Sequence, residues 1–156
     1  MLICFCDSNG IFHKEFVPTG QTVNAMFYLG VLKRLVSRIR RIRPEYREEG
    51  SWRLLHDNAP SHHSTLTTGY LTKNRIVSIN HSPYSPDMAP CGFYLFGKLH
   101  LAMKGKRYAD VNAIPMASTA ILNAIPKDDL KKSFHNLLDR ANRFIQCEGD
   151  YFEGDQ

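Results

Sequence analysis

The run His56-Asp57-Asn58-Ala59-Pro60 has the residue types of a functional turn. It closes an apolar segment, Trp52–Asp57, that reads as a short strand broken by Asn58-Ala59-Pro60. Open α/β sheets place functional side chains at the carboxyl ends of parallel strands. A carboxylate there can hold a divalent cation such as Mg²⁺, which prefers oxygen ligands and retained water. The same Asp57 and Asn58 can equally form an Asx turn with no further role. A second stretch, Ser82–Pro90, carries Asp87 among Pro83, Pro86 and Pro90, and so is stiff enough either to position a group or simply to connect two elements. A third feature is the basic run Lys33, Arg34, Arg38, Arg40, Arg41, Arg43 and Arg47, which can contact phosphates. Its plain alternative is a solvated helix face, partly balanced by Glu45, Glu48 and Glu49. A nuclear-localisation role fits the run less well, because such signals need an extended segment. His56, His62, His63 and His81 do not read as a zinc set. No cysteine is suitably spaced, and adjacent His62 and His63 would leave different faces of a helix.

These residues need elements to position them. Leu2–Asp7 and Ile11–Val17, joined by Ser8-Asn9-Gly10, predict a hairpin. A long helix follows, capped by Thr22 or Asn24 and ended near Pro44, with Tyr28, Val31, Leu32, Leu35, Val36, Ile39 and Ile42 on one stripe. Trp52–Asp57, a helix over His62–Lys73 capped by Ser61 with Leu66, Tyr70 and Leu71 inward, and the strand Ile76–Asn80 make a βαβ crossover, so the two strands should run parallel. A helix from about Pro90 should present Phe93, Phe96, Leu99 and Met103 on one face. Two more helices are expected, one around Met116–Asn123 and one from Lys127 to about Cys147. The second has Leu130, Phe134, Leu137, Leu138, Ala141 and Ile145 as its stripe, and Asp128 and Asp129 at its positive end. Asp110 reads as the N-cap of the first, which would put Pro115 beyond the first turn, where proline costs about 3 kcal/mol. That helix should therefore start near Pro115. The expected class is a mixed α/β domain with its four strands in one sheet.

The chain has 156 residues, 43% hydrophobic and 22% charged, which fits one globular domain or a piece of a larger one and excludes wholesale disorder. The apolar opening Met1–Cys6 is too short for a membrane span or a signal-peptide core, so no membrane association is expected. Four cysteines (Cys4, Cys6, Cys91 and Cys147) without a C-x-x-C pair read as reduced, intracellular thiols. A net charge of +5 points to an anionic partner, nucleic acid first.

Taken together, the stretches resemble the catalytic domain of mariner-type transposases over nearly the whole chain. "MLICFCDSNGIFHKEFVPTGQTVN" is similar to the family's second and third strands and the approach to its first long helix. "RIRPEYREEGSWRLLHDNAPSHHS" resembles the segment with the second catalytic Asp, and "HSPYSPDMAPCGFYLFGKLHLAMKGKRYAD" the segment with the third. "EGDYFEGD" is similar to the family's C-terminus. The resemblance implies an RNase H-like mixed sheet flanked by helices, and DNA cleavage and strand transfer at transposon ends by a DDE/D-type nuclear enzyme. Three carboxylates would hold two Mg²⁺ or Mn²⁺ ions, with no small-molecule cofactor. The implied partners are transposon-end DNA and a second copy or an intact transposase.

Carried over residue by residue, the second family Asp falls on Asp57. The third lies after 34 intervening residues, where this chain has Gly92. The metal role therefore rests on Asp57, with Gly92 marking a lost ligand and expected across a cleft from it. Asp7 matches a strand aspartate that is not a ligand, and Asp87 a non-catalytic loop aspartate. The first Asp belongs to a central strand preceding the family's equivalent of Met1, so this chain is expected to lack that strand and the helix-turn-helix segments before it. The hairpin must then pair with the Asp57 strand or leave two unpaired edges, which invite aggregation. The reading is a truncated, catalytically inactive remnant, with nucleic acid contacted by Lys33, Arg34, Arg38, Arg40, Arg41 and Arg43. Its alternatives are a non-catalytic DNA-binding or transposase-interacting module, and an unrelated metal-dependent phosphatase or nuclease using Asp57 with Asp87.

Overall fold

A computed structural model describes residues 1–79, 81, 88–108 and 110–146. The chain divides into two compact units, one of Met1–Cys6 with Ile11–Ser85 and one of Asp7–Gly10 with Pro86–Gln156. The expected loop Ser82–Pro90 falls largely outside the described residues, Asp87 with it, as do Asn80, Cys147 and the C-terminal motif.

The first unit is organised by α1, Ala25–Ile42. Its first free N–H groups are capped by Asn24, whose side-chain oxygen accepts the Phe27 N–H at 2.9 Å. Tyr28, Val31, Leu32, Leu35, Val36 and Ile39 are all buried, as their spacing demands. Pro44 opens a 3₁₀ turn, Pro44–Arg47, directly after the helix. Strands β1 (Leu2–Asp7) and β2 (Gly10–Phe16) form the hairpin, turning at Gly10 with φ 138°, a conformation that suits glycine. Ile3, Phe5 and Phe12 pack on the α1 core.

β3 (Arg53–Leu55) and β4 (Val77–Ile79) are parallel, with Leu54 opposite Ser78, so the crossover is as expected although both strands are shorter. The single four-stranded sheet is not formed. The strands make two separate two-stranded sheets, β1-β2 and β3-β4. The physical reason is that no strand among the described residues bridges them. Leu54 of β3 and Ile3, Phe5 and Phe12 of the hairpin pack on the same α1 core, which needs no ladder between the sheets, while Val77 and Ile79 of β4 stay exposed.

α2 spans Thr65–Lys73 and is capped by Ser64, not Ser61. Ser61 is buried instead, its carbonyl accepting from the Thr67 hydroxyl at 2.7 Å. Thr67, whose hydroxyl is bonded to the residues before the helix, is fully buried, and Leu66, expected inward, is 48% exposed. α2 ends in a Schellman motif, with Ile76 N–H bonded to Leu71 O and Arg75 N–H to Thr72 O. Arg75 holds the left-handed position at φ 55°, where glycine is usual.

In the second unit, Cys91–Phe96 winds as a π-helical turn before α3, Gly97–Met103. The wider i→i+5 winding shifts the inward face by one residue. Leu95 is fully buried and Phe96, expected inward, is 37% exposed. α4 is Ala113–Asn123, starting two residues before Pro115. Its N-cap position is Asn112, which makes no side-chain cap bond; Asp110, expected as the cap, lies two residues earlier, its carboxylate accepting the Ala113 N–H at 2.9 Å. Pro115 lies in the first turn, where its missing N–H would have had no helical partner. α5 is Lys127–Gln146. Leu130 and Ser133 are buried, but Leu138 and Ile145, read as part of the inward stripe, are exposed. The contacts that tie α5 down come from the π-helical turn: Tyr94 OH donates to Asp129 Oδ2 at 3.0 Å, and the Arg140 guanidinium lies over Phe93.

Candidate functional site

The turn after β3 is held from three sides. His56 sits beneath it with both ring nitrogens engaged, Nδ1 at 3.1 Å from Tyr28 OH on α1 and Nε2 at 2.9 Å from Ser78 Oγ on β4. Asp57 turns its carboxylate back so that Oδ1 accepts the Ala59 N–H at 3.0 Å, the Asx turn that the sequence allowed. The same oxygen lies 2.7 Å from His62 Nδ1, yet the side chain remains 69% exposed. Asn58 ties the turn to the segment after β4, its amide donating to His81 O at 2.7 Å, and its own oxygen lies 3.0 Å from His63 Nε2.

The histidines are brought together after all. His62 and His63 precede α2 rather than lying on it, so helix faces do not separate them. The His62 ring stacks on His56 at 4.9 Å and 5° and lies 4.0 Å from the Tyr28 ring. His63 is 5.9 Å from His56. Burial, with His62 and His63 nearby, pushes His56 down to about 4, so it is neutral at pH 7 and acts as a crosslink rather than a cation. Burial first, and then the nearby Asp57 charge, raises Tyr28 well above its ordinary range, so its hydroxyl stays protonated. Sequence reading missed Tyr28 and Ser78. The available signals were a polar-tipped residue within the apolar α1 stripe and a lone serine between Val77 and Ile79.

The basic face of α1 is partly committed within the fold. Arg34 makes a bidentate bond to Glu15, at 2.8 and 2.7 Å, and holds that carboxyl below its usual range. Arg38 donates to the Phe12 carbonyl, and Arg40 reaches Asn74 Oδ1 at 3.4 Å. Lys33 and Arg41 are exposed. Arg43 forms the C-cap position of α1.

Gly92 donates its N–H to Ala89 O at 2.8 Å and is the second residue of the π-helical turn of the second unit, whereas Asp57 belongs to the first. At the two mapped positions the chain offers one carboxylate. No group of three His, Cys, Asp or Glu among the described residues could hold a metal ion. This donor set does not fit a two-metal centre, in which carboxylates must converge on paired cations. No helix among them is long and apolar enough to cross a membrane.

No protein-family model matches the chain. It is 29% identical over 154 residues to the mariner Mos1 transposase of Drosophila mauritiana, covering 98% of this chain and 45% of that protein. It is 24% identical over 153 residues to the histone-lysine N-methyltransferase SETMAR of Homo sapiens, covering 98% of this chain and 22% of that one. The chain thus spans less than half the length of these relatives. The Mos1 transposase catalytic domain solved with raltegravir and Mn is similar with a TM-score of 0.89 at 30% identity, covering 97% of this chain and 76% of that one. A pre-cleavage Mos1 transpososome gives 0.91 at 29% identity, covering 97% of this chain and 45% of that one. The fold is therefore of the RNase H-like class, with the Asp57 turn at the carboxyl end of a parallel strand. Within that class, the chain belongs to the mariner-type transposases.

Proposed function

We propose that these 156 residues are a decayed catalytic domain of a mariner-type transposase, derived from a DNA nucleotidyl transferase, and that they do not cut or join DNA. One observation carries this reading: after 34 intervening residues beyond Asp57 the chain has Gly92, which has no side chain to ligate a metal. Losing an oriented metal ligand costs orders of magnitude in rate. The capture of Asp57 Oδ1 by Ala59 and His62 supports the same reading. Mn²⁺-supported nicking of supercoiled plasmid tests it with four proteins: the chain as it stands, Gly92→Asp, an N-terminal extension supplying an Asp-bearing strand, and both together. Only the last should nick. Robust Asp57-dependent nicking by the chain as it stands would overturn the proposal.

A second reading is favoured by the exposed Lys33 and Arg41 on α1. The chain then serves as a non-catalytic module that holds DNA in the nucleus, as a homodimer or with an intact transposase. Arg34 and Arg38 are partly engaged by Glu15 and the Phe12 carbonyl, which weakens the phosphate contacts they add without removing them. Gel shifts on transposon-end DNA should weaken with salt at a shallow slope, which Lys33→Ala and Arg41→Ala flatten further. Salt-independent retention would sink this reading.

A further inference from the structure

At the opposite end of β3 from Asp57, the first unit contains a cavity of about 210 Å³ that neither reading uses. Its lining includes Ile39 of α1 and the aromatic pair Tyr46 and Trp52, both of which pack on the edge of the core. Three guanidinium groups reach its rim from three separate segments: Arg40 from α1, Arg47 from the 3₁₀ turn and Arg75 from the end of α2. Glu48 and Glu49 share the rim, leaving one net positive charge. Each arginine makes a bond within the fold, although the Arg75 side chain is 71% exposed. Arg47 Nε donates to Arg40 O at 2.9 Å, Arg75 Nη1 to Glu49, and Arg40 to Asn74.

We propose that this cavity is a binding site for a single nucleotide. The volume is below that of drug-sized pockets and suits one ring system. Flat aromatic walls stack any base face. Guanidinium forks match phosphate oxygens, and each carries five donors, so one internal bond does not exhaust it. Glu48 adds an acceptor for an exocyclic amino group. A nucleotide can use both signs at the rim, its phosphate with a guanidinium and its base amino group with a carboxylate, whereas an acidic peptide brings carboxylates alone. Arg75 gives an independent indication. The left-handed position of the Schellman motif favours glycine, and its occupation by a strained arginine aims a guanidinium at this rim.

Trp52 is the chain's single tryptophan, so its fluorescence reports on this cavity directly. The full chain would be titrated with deoxyguanosine 5′-monophosphate, with a short single-stranded oligonucleotide, and with deoxyribose 5-phosphate as a control lacking the base. Saturable quenching by the monophosphate or the oligonucleotide, absent with the sugar phosphate, is expected. The comparison tells whether the nucleotide is recognised free or within a strand, and either supports the site. Arg47→Ala and Arg75→Gly should each weaken binding by about tenfold. Arg75→Gly should leave the melting temperature unchanged or raised, so its lost binding cannot be ascribed to unfolding. No saturable quenching by either nucleotide probe, or quenching that survives both variants, would overturn the proposal. The outcome is separable from the transposase readings, because neither the nicking proteins nor the Lys33 and Arg41 gel shifts alter this cavity.

Discussion

Helices α1 and α5 carry the same kind of apolar stripe and meet different fates. In α1, six stripe residues from Tyr28 to Ile39 are at most 4% exposed. Its polar face is fastened as well, through Arg34 to Glu15 and Arg38 to the Phe12 carbonyl. In α5, Leu130 and Ser133 are 2% exposed but Leu138 is 63% and Ile145 73%. Periodicity tells which residues can share a face. Whether that face is covered depends on partners distant in sequence, and α1 has a hairpin, a crossover and α2 around it, whereas α5 is held by Tyr94 and Phe93 near one turn.

The contrast can be broken or sharpened by mutation. Leu35→Ala should cost about 3 kcal/mol in urea denaturation, because it empties the middle of the covered seam. Glu15→Gln should cost roughly 1.5 kcal/mol at neutral pH by removing the charged acceptor of Arg34. Its pH dependence has a definite sign. The folded-state pKa of Glu15 is lowered below 4.5, chiefly by the Arg34 bond, so its stabilisation is present above 4.5 and disappears as pH falls through the lowered value. The Gln variant and the parent should therefore converge in acid, and a gap that widened instead would refute the ion pair. Asn24→Ala should cost about 1 kcal/mol through the lost cap, read by thermal melting. Leu138→Ala should stay within about 0.5 kcal/mol. A loss comparable to that of Leu35→Ala would mean the α5 seam is covered, and the contrast would fall.

Much of the fold was legible where a local rule decides. The α1 stripe and the parallel β3–β4 crossover follow from spacing and from chain connectivity, and the cap falls on Asn24, one of the two residues the sequence offers. Errors arose where one local event redirected later residues. At α2 the cap is Ser64 instead of Ser61, and the buried position is Thr67 instead of Leu66. The π-helical turn exchanged Phe96 for Leu95. The split into two sheets was illegible for another reason, since no local signal states which strand edges will meet. At the candidate site, the Asp57 turn could be read from five consecutive residues. The clamp beneath it could not, because Tyr28 and Ser78 reach His56 from 28 residues before it and 22 after it.

The π-helical turn also bears on how the register beyond Gly92 should be measured in related chains. An i→i+5 turn accommodates one more residue than ordinary α winding over the same rise. A relative lacking one residue within 91–96 could rewind that turn as α-helix and still deliver α3, exchanging which of Leu95 and Phe96 faces inward. Alignments of such relatives should therefore expect a single-residue gap here, with α3 matched afresh beyond it.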